Sequence, residues 1–235
     1  MTNKLSVVAV MMMSVGCAKT ESDDLLTSGI YADLEAHATG NGKTTVSATL
    51  YVDSPVALNF VELGDDDHLV VTSGSDSQTL VESELGNIVS HTASFSADAG
   101  GTSFDIAFQR QLDAGAPSSK IVLPPAFTPD PPPATASRMS PLKITWSPSG
   151  SDGEMRWTAA GTCIEDAAGE SGGDIGNLIV PAGILAKRTG TGIADSCTLT
   201  FQMSLQRTGT LDAHYGKGGV VFGSQDRTIT WTTTP

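Results

Sequence analysis

Positive charge is scarce in this chain of 235 residues. Thirteen Lys and Arg stand against 26 Asp and Glu, a formal charge of −13. An acidic surface repels phosphate backbones, which argues against nucleic acid as a partner. No basic amphipathic stretch is present to hold an anionic membrane surface. Histidine is also sparse: His37, His68, His91 and His214 have no metal-ligand spacing among them. Three cysteines, Cys17, Cys163 and Cys197, are too few for a structural zinc site without a His pair. No glycine loop ends in Gly-Lys-Ser/Thr to cradle phosphate, and no cofactor is implied. No apolar run reaches the ~20 residues of a membrane-spanning helix. What is present is a chain 39% hydrophobic and 17% charged, apolar enough to fold.

Lys4 precedes residues 5–13, which are apolar except for Ser6, and Ser14-Val15-Gly16-Cys17 follows. A charged start, a short apolar core and small residues before a cut site describe a secretory signal peptide over residues 1–16, with its short helix. The segment resembles a bacterial lipoprotein signal. Val15-Gly16-Cys17 fits the last three positions of that motif, and Ser14 stands where Leu is usual. The resemblance implies that the Cys17 thiol carries lipid and anchors the protein to a membrane. Ala18, in place of Asp, implies the bacterial outer membrane. Residues 17–27 are polar and are expected to form a tether. Export leaves Cys163 and Cys197 as an even pair in an oxidising compartment, so a disulfide is expected between them. The whole resembles bacterial envelope lipoproteins of a two-domain β-sandwich type, a resemblance that supplies location and not activity.

After the leader, period-two alternation dominates. Val46, Ala48, Leu50 and Val52 face one way, as do Phe104, Ile106 and Phe108, then Leu199, Phe201, Met203 and Leu205. Such strands have one buried and one wet face. Frequent glycine turn signals between short strands point to an all-β chain of two tandem antiparallel sandwiches, immunoglobulin-like in architecture only. Eight of the twelve prolines fall between Pro124 and Pro148. That stretch cannot be helical and is read as an extended connector. The expected layout is a first domain at 28–126, a linker at 127–138 and a second domain at 139–235. Phe104-x-Ile106-x-Phe108-x-Arg110 matches Phe201-x-Met203-x-Leu205-x-Arg207, which leaves an internal duplication open. Each arginine is expected to lay its stem on the core edge and send its guanidinium to solvent or a carboxylate.

Several patterns can be tested for chemistry. Gly169-Glu170-Ser171-Gly172-Gly173 fits the G-x-S-x-G nucleophile elbow, with Asp195 and His214 in hydrolase order. No β-α alternation surrounds it, and a glycine-rich loop is the plainer reading. The same peptide resembles the Gly-Asp-Ser-Gly-Gly of trypsin-like proteases, but Gly161 and Thr162 stand where the base histidine belongs. Asp65-Asp66-Asp67 is either a solvated turn or a calcium site without EF-hand spacing. Trp146, Trp157 and Trp231 lie in strand-like contexts and read as core, not as a sugar platform. The long stretch 208–225 holds His214, Tyr215 and Lys217 and is the candidate binding loop. The expectation is a non-enzymatic, lipid-anchored envelope protein with a structural, adhesive or partner-binding role toward a protein or glycan. A carbohydrate-binding module and a serine hydrolase using Ser171 are the alternatives.

Overall fold

The computed structural model describes residues 18–235. The expected signal peptide and the expected lipidation of Cys17 lie outside the described residues. The chain is all-β, with three single-turn 3-10 segments as its only helical geometry among the described residues. The strands of the first half are β1 (Ala18–Glu21), β2 (Ile30–Ala38), β3 (Thr44–Val52), β4 (Asn59–Glu62) and β5 (His68–Ser73). They continue with β6 (Asp76–Thr79), β7 (Val81–Leu85), β8 (Ile88–Phe95), β9 (Ser103–Gln109) and β10 (Ala116–Val122). Then come β11 (Thr128–Pro129), β12 (Thr135–Ser137), β13 (Leu142–Ser147) and β14 (Glu154–Gly161). The last four are β15 (Ala167–Glu170), β16 (Asn177–Val180), β17 (Cys197–Thr208) and β18 (Gly219–Thr234).

One long sheet runs β1-β4-β3-β2-β18-β17-β14-β15, with β8, β7 and β12 attached. Two smaller sheets pack against it. The sheet β10-β9-β5-β6 closes a first core that includes Leu34, Leu50, Phe95, Phe104 and Phe108. The sheet β11-β13-β16 closes a second, around Trp146, Trp157, Phe201, Met203 and Trp231. Both are sandwiches, and their inward residues are those whose alternation marks them in the sequence. The Cys163–Cys197 disulfide is formed in the second.

The two cores share a strand. β18 is 16 residues long, roughly 50 Å at ~3.3 Å per residue. Its first half pairs in parallel with β2, from Gly219 opposite Ala32 to Gln225 opposite Ala38. From Phe222, opposite Thr208, it pairs antiparallel with β17, ending at Thr233 opposite Cys197. Val221 therefore belongs to the first core and Trp231 to the second. At the seam, Gln225 donates to the Asp98 carbonyl at 2.7 Å, and Arg227 donates to the carbonyls of Phe127 and Ala38 while lying over the Phe127 ring.

Two segments differ from the sequence reading. Residues 18–27, read as a tether, are built into the fold. β1 pairs in parallel with β4, and Ser22 and Thr27 are buried. Their polarity serves a buried ion pair. Arg110 is fully enclosed, donating to Asp67 at 2.9 Å, to the Leu25 carbonyl and Thr27 Oγ1 at 3.0 Å, and to the Ser22 carbonyl at 2.5 Å. The proline-rich 127–138 stretch, read as a linker, lies against the second core. Phe127 is buried there, β11 pairs with β13, and β12 pairs in parallel with β18. Proline removes ladder donors, but short outer strands tolerate that.

Candidate functional site

The outer face of the long sheet carries the candidate site. Alternation that sends hydrophobes inward leaves the intervening polar residues in cross-strand rows. One row runs Glu154, Gln206, Ser224, His37 and Thr45 across β14, β17, β18, β2 and β3. The next joins Arg156, Ser204 and Asp226. β17 stops at Thr208 while β18 continues beside β2, and this step leaves a hollow of about 500 Å³. Its lining includes Asp152, Arg156, Gln206, Thr208 and Phe222. A second hollow of about 260 Å³, lined by Thr158, Gln202, Ser204 and Asp226 among others, shares Arg156 and Gln206 with the first. Together they form one groove across the seam between the cores.

A charged hub borders the groove. His37 Nε2 lies 2.8 Å from Glu35, and Nδ1 lies 3.1 Å from Asp226 and 2.8 Å from Ser224 Oγ. The hydrogen bond to Asp226, then that to Glu35, pulls the imidazole up to about 9, so it is a cation at neutral pH. Burial works to raise Asp226, but hydrogen bonds from His37 and Ser204, the charge of His37 and a further bond from Ser224 outweigh it and hold the carboxylate below its ordinary range. Ser224, His37 and Glu35 have the spacing of a serine–histidine–acid relay. The protonation state disables that relay, since an imidazolium cannot accept the serine proton. Ser224 is also fully buried, with its hydroxyl 3.0 Å from Asp226.

The elbow serine is not assembled with its proposed partners. Ser171 Oγ donates to the Gly173 carbonyl, Asp195 is ion-paired with Lys187, and His214 is bound to Asp212 beside the first core. Asp65 and Asp66 are exposed, whereas both Asp67 oxygens are engaged by Arg110, Ser22 and the Gln111 N–H. Among the described residues, no cluster of three His, Cys, Asp or Glu is arranged to hold a metal ion. Trp146, Trp157 and Trp231 are all buried, so none offers a stacking surface. Arg207 meets Asp152 at the rim, as its strand-end position suggests.

The candidate loop is divided in its exposure. Tyr215 is buried in the first core, stacked on Phe108, and burial pushes its hydroxyl's pKa up. His214 and Lys217 remain accessible, and Lys217 pairs with Asp53. Asp212 organises the loop by accepting from Ser118 and His214. Burial works to raise its carboxyl, but these bonds outweigh it and hold it down at about 2. The stretch is long because it crosses from the second core into the first. Sequence reasoning missed the groove and its hub. His37 reads only as an outward strand residue, and nothing local announces that Ser224, 187 positions away, lies beside it.

No family model matches the chain. No curated protein matches it. Among solved structures it is similar to a cytokine receptor complex at 14% identity and TM-score 0.31, covering 86% of this chain and 95% of that one. It is also similar to a marsupial T cell receptor at 10% identity and TM-score 0.22, covering 86% and 69%. A third similarity is to the Bacteroides ovatus mixed-linkage glucan utilization locus protein SGBP-B, in complex with a mixed-linkage heptasaccharide. There the identity is 11% and the TM-score 0.19, covering 97% and 70%.

Proposed function

We propose that this is a non-enzymatic envelope protein, anchored by lipid on Cys17 to a bacterial outer membrane, that binds an extended polar ligand in the seam groove. The observation that carries the binding role is the groove itself, which is continuous over four strands and bordered by a fixed charged hub. Rigid strands position its side chains, which is the arrangement a binding site needs. The disabled Ser224–His37 relay supports a role without catalysis. The lipoprotein-like Val15-Gly16-Cys17 supports the anchor.

A glycan is the ligand class the lining favours over a charged one. Thr158, Gln202, Ser204, Gln206 and Thr208 offer hydroxyls and amides that both donate and accept, beside the half-buried Phe222 ring. Arg156 and Arg207 are already paired with Glu154 and Asp152. The test is a glycan array followed by calorimetric titration of the hits. The expected result is a soluble oligosaccharide hit whose affinity falls at least about fivefold in Gln206→Ala combined with Gln202→Ala, each lost hydrogen bond contributing ~0.5–1.5 kcal/mol. Absence of any hit, or hits indifferent to both substitutions, overturns the glycan reading.

A further inference from the structure

We propose that the end of the first core next to residue 18 is a membrane-contact surface that lies on the bilayer beside the anchor. This rests on the lipid-anchor reading above. Ala18, covalently joined to Cys17, is already the first residue of β1 and is paired with Asn59. One residue spans at most ~3.6 Å, so an acylated Cys17 holds the bilayer surface against this end.

The register shows what else is at that end. Val52 pairs with Ile30 and Tyr51 with Phe60, so the turn between β3 and β4 lies beside Ala18. β8 runs antiparallel to β3, with His91 opposite Ala48, which brings the β7–β8 turn to the same end. Lys19 ties that hairpin down through Glu84 at 2.6 Å. Exposed apolar side chains gather on these turns. Val56 is 88% exposed and Leu85 80%, and Leu58 and Ile88 are about half exposed. Leu26 and Leu112 join them. The Leu26 carbonyl accepts from Gly29, whose own carbonyl accepts from Asp53, and Asp113, next to Leu112, accepts from the Thr27 N–H.

The turn geometry holds this surface outward. Leu58 adopts φ 49°, a left-handed conformation that bulky residues rarely adopt, directly before β4. Six large apolar residues spread over four separate segments do not form a flat interface for a protein partner. They suit a fluid acyl layer that fills irregular gaps. The occupant is therefore lipid. The exposed Asp65 and Asp66, in the turn just past β4, favour a zwitterionic surface over an anionic one.

The full-length protein, expressed in a bacterium that lipidates it, provides the test. Cys17 is checked for acylation by mass spectrometry, and the protein is placed in phosphatidylcholine–phosphatidylethanolamine vesicles. With Cys17 acylated and Cys163 bonded to Cys197, Leu85→Cys supplies a single free thiol for an environment-sensitive fluorophore. Met139→Cys, 75% exposed at the opposite end beside Thr234, is the control. Bilayer-embedded nitroxide lipids are expected to quench the label at 85 at least twofold more than at 139. Equal quenching at both positions with Cys17 acylated overturns the contact surface and leaves the anchor standing. An unmodified Cys17 overturns the anchor and this proposal with it.

Discussion

At the scale of single residues, enclosed charges decide stability. Arg110 and Asp67 have fully buried side chains and compensate each other. Removing Arg110 leaves the Asp67 carboxylate buried without a counter-charge, so Arg110→Met is expected to cost ~3–5 kcal/mol in urea unfolding. Asp67→Asn added to Arg110→Met is expected to recover part of that loss, because the stranded charge is gone. His37 gives a pH signature. Its folded value, about 9, lies above the ordinary 6.5. The stability it contributes is complete below about pH 6.5 and is lost as pH rises through 9. Urea midpoints should therefore fall between pH 7 and pH 10, and His37→Gln should flatten that fall. Asp226 has the opposite sign, its contribution being lost in acid as pH falls through its depressed value.

At the scale of elements, the parallel join of β18 to β2 is the contact most sensitive to side-chain bulk. A Cβ on Gly219 would lie 2.0 Å from the Ala32 carbonyl oxygen. Gly219→Ala is expected to destabilise by ~1–3 kcal/mol and to speed hydrogen exchange in residues 219–225 ahead of the rest of β18. Removing the disulfide by Cys163→Ala with Cys197→Ala is expected to cost ~2–4 kcal/mol in thermal unfolding, since it closes a 34-residue separation. Strands were legible from the sequence wherever one face is apolar. Phe104-Ile106-Phe108 and Leu199-Phe201-Met203-Leu205 turn inward as their alternation implies. Residues 18–27 were not, because the Ser22 and Leu25 carbonyls and the Thr27 hydroxyl are engaged by an arginine more than 80 positions later. The groove was illegible for a related reason. Its lining residues come from the outward half of four strands, and outward polar residues look alike until register brings particular ones together.

At the scale of the whole molecule, two hydrophobic cores hang on one continuous sheet. Val221 and Trp231 are ten positions apart on β18 and belong to different cores. Loss of either core therefore strips partners from the other. Scanning calorimetry is expected to show a single transition whose calorimetric and van't Hoff enthalpies agree, and two resolved transitions would show the cores to be independent. The shared strand also has a consequence in time. A ribosome releases β2 long before β18, and until β18 arrives the first sheet keeps an unsatisfied flank in its interior. Such a chain has no early resting structure. It also exposes a sticky edge for as long as its closing strand is delayed, so holding chaperones have their greatest effect in that interval.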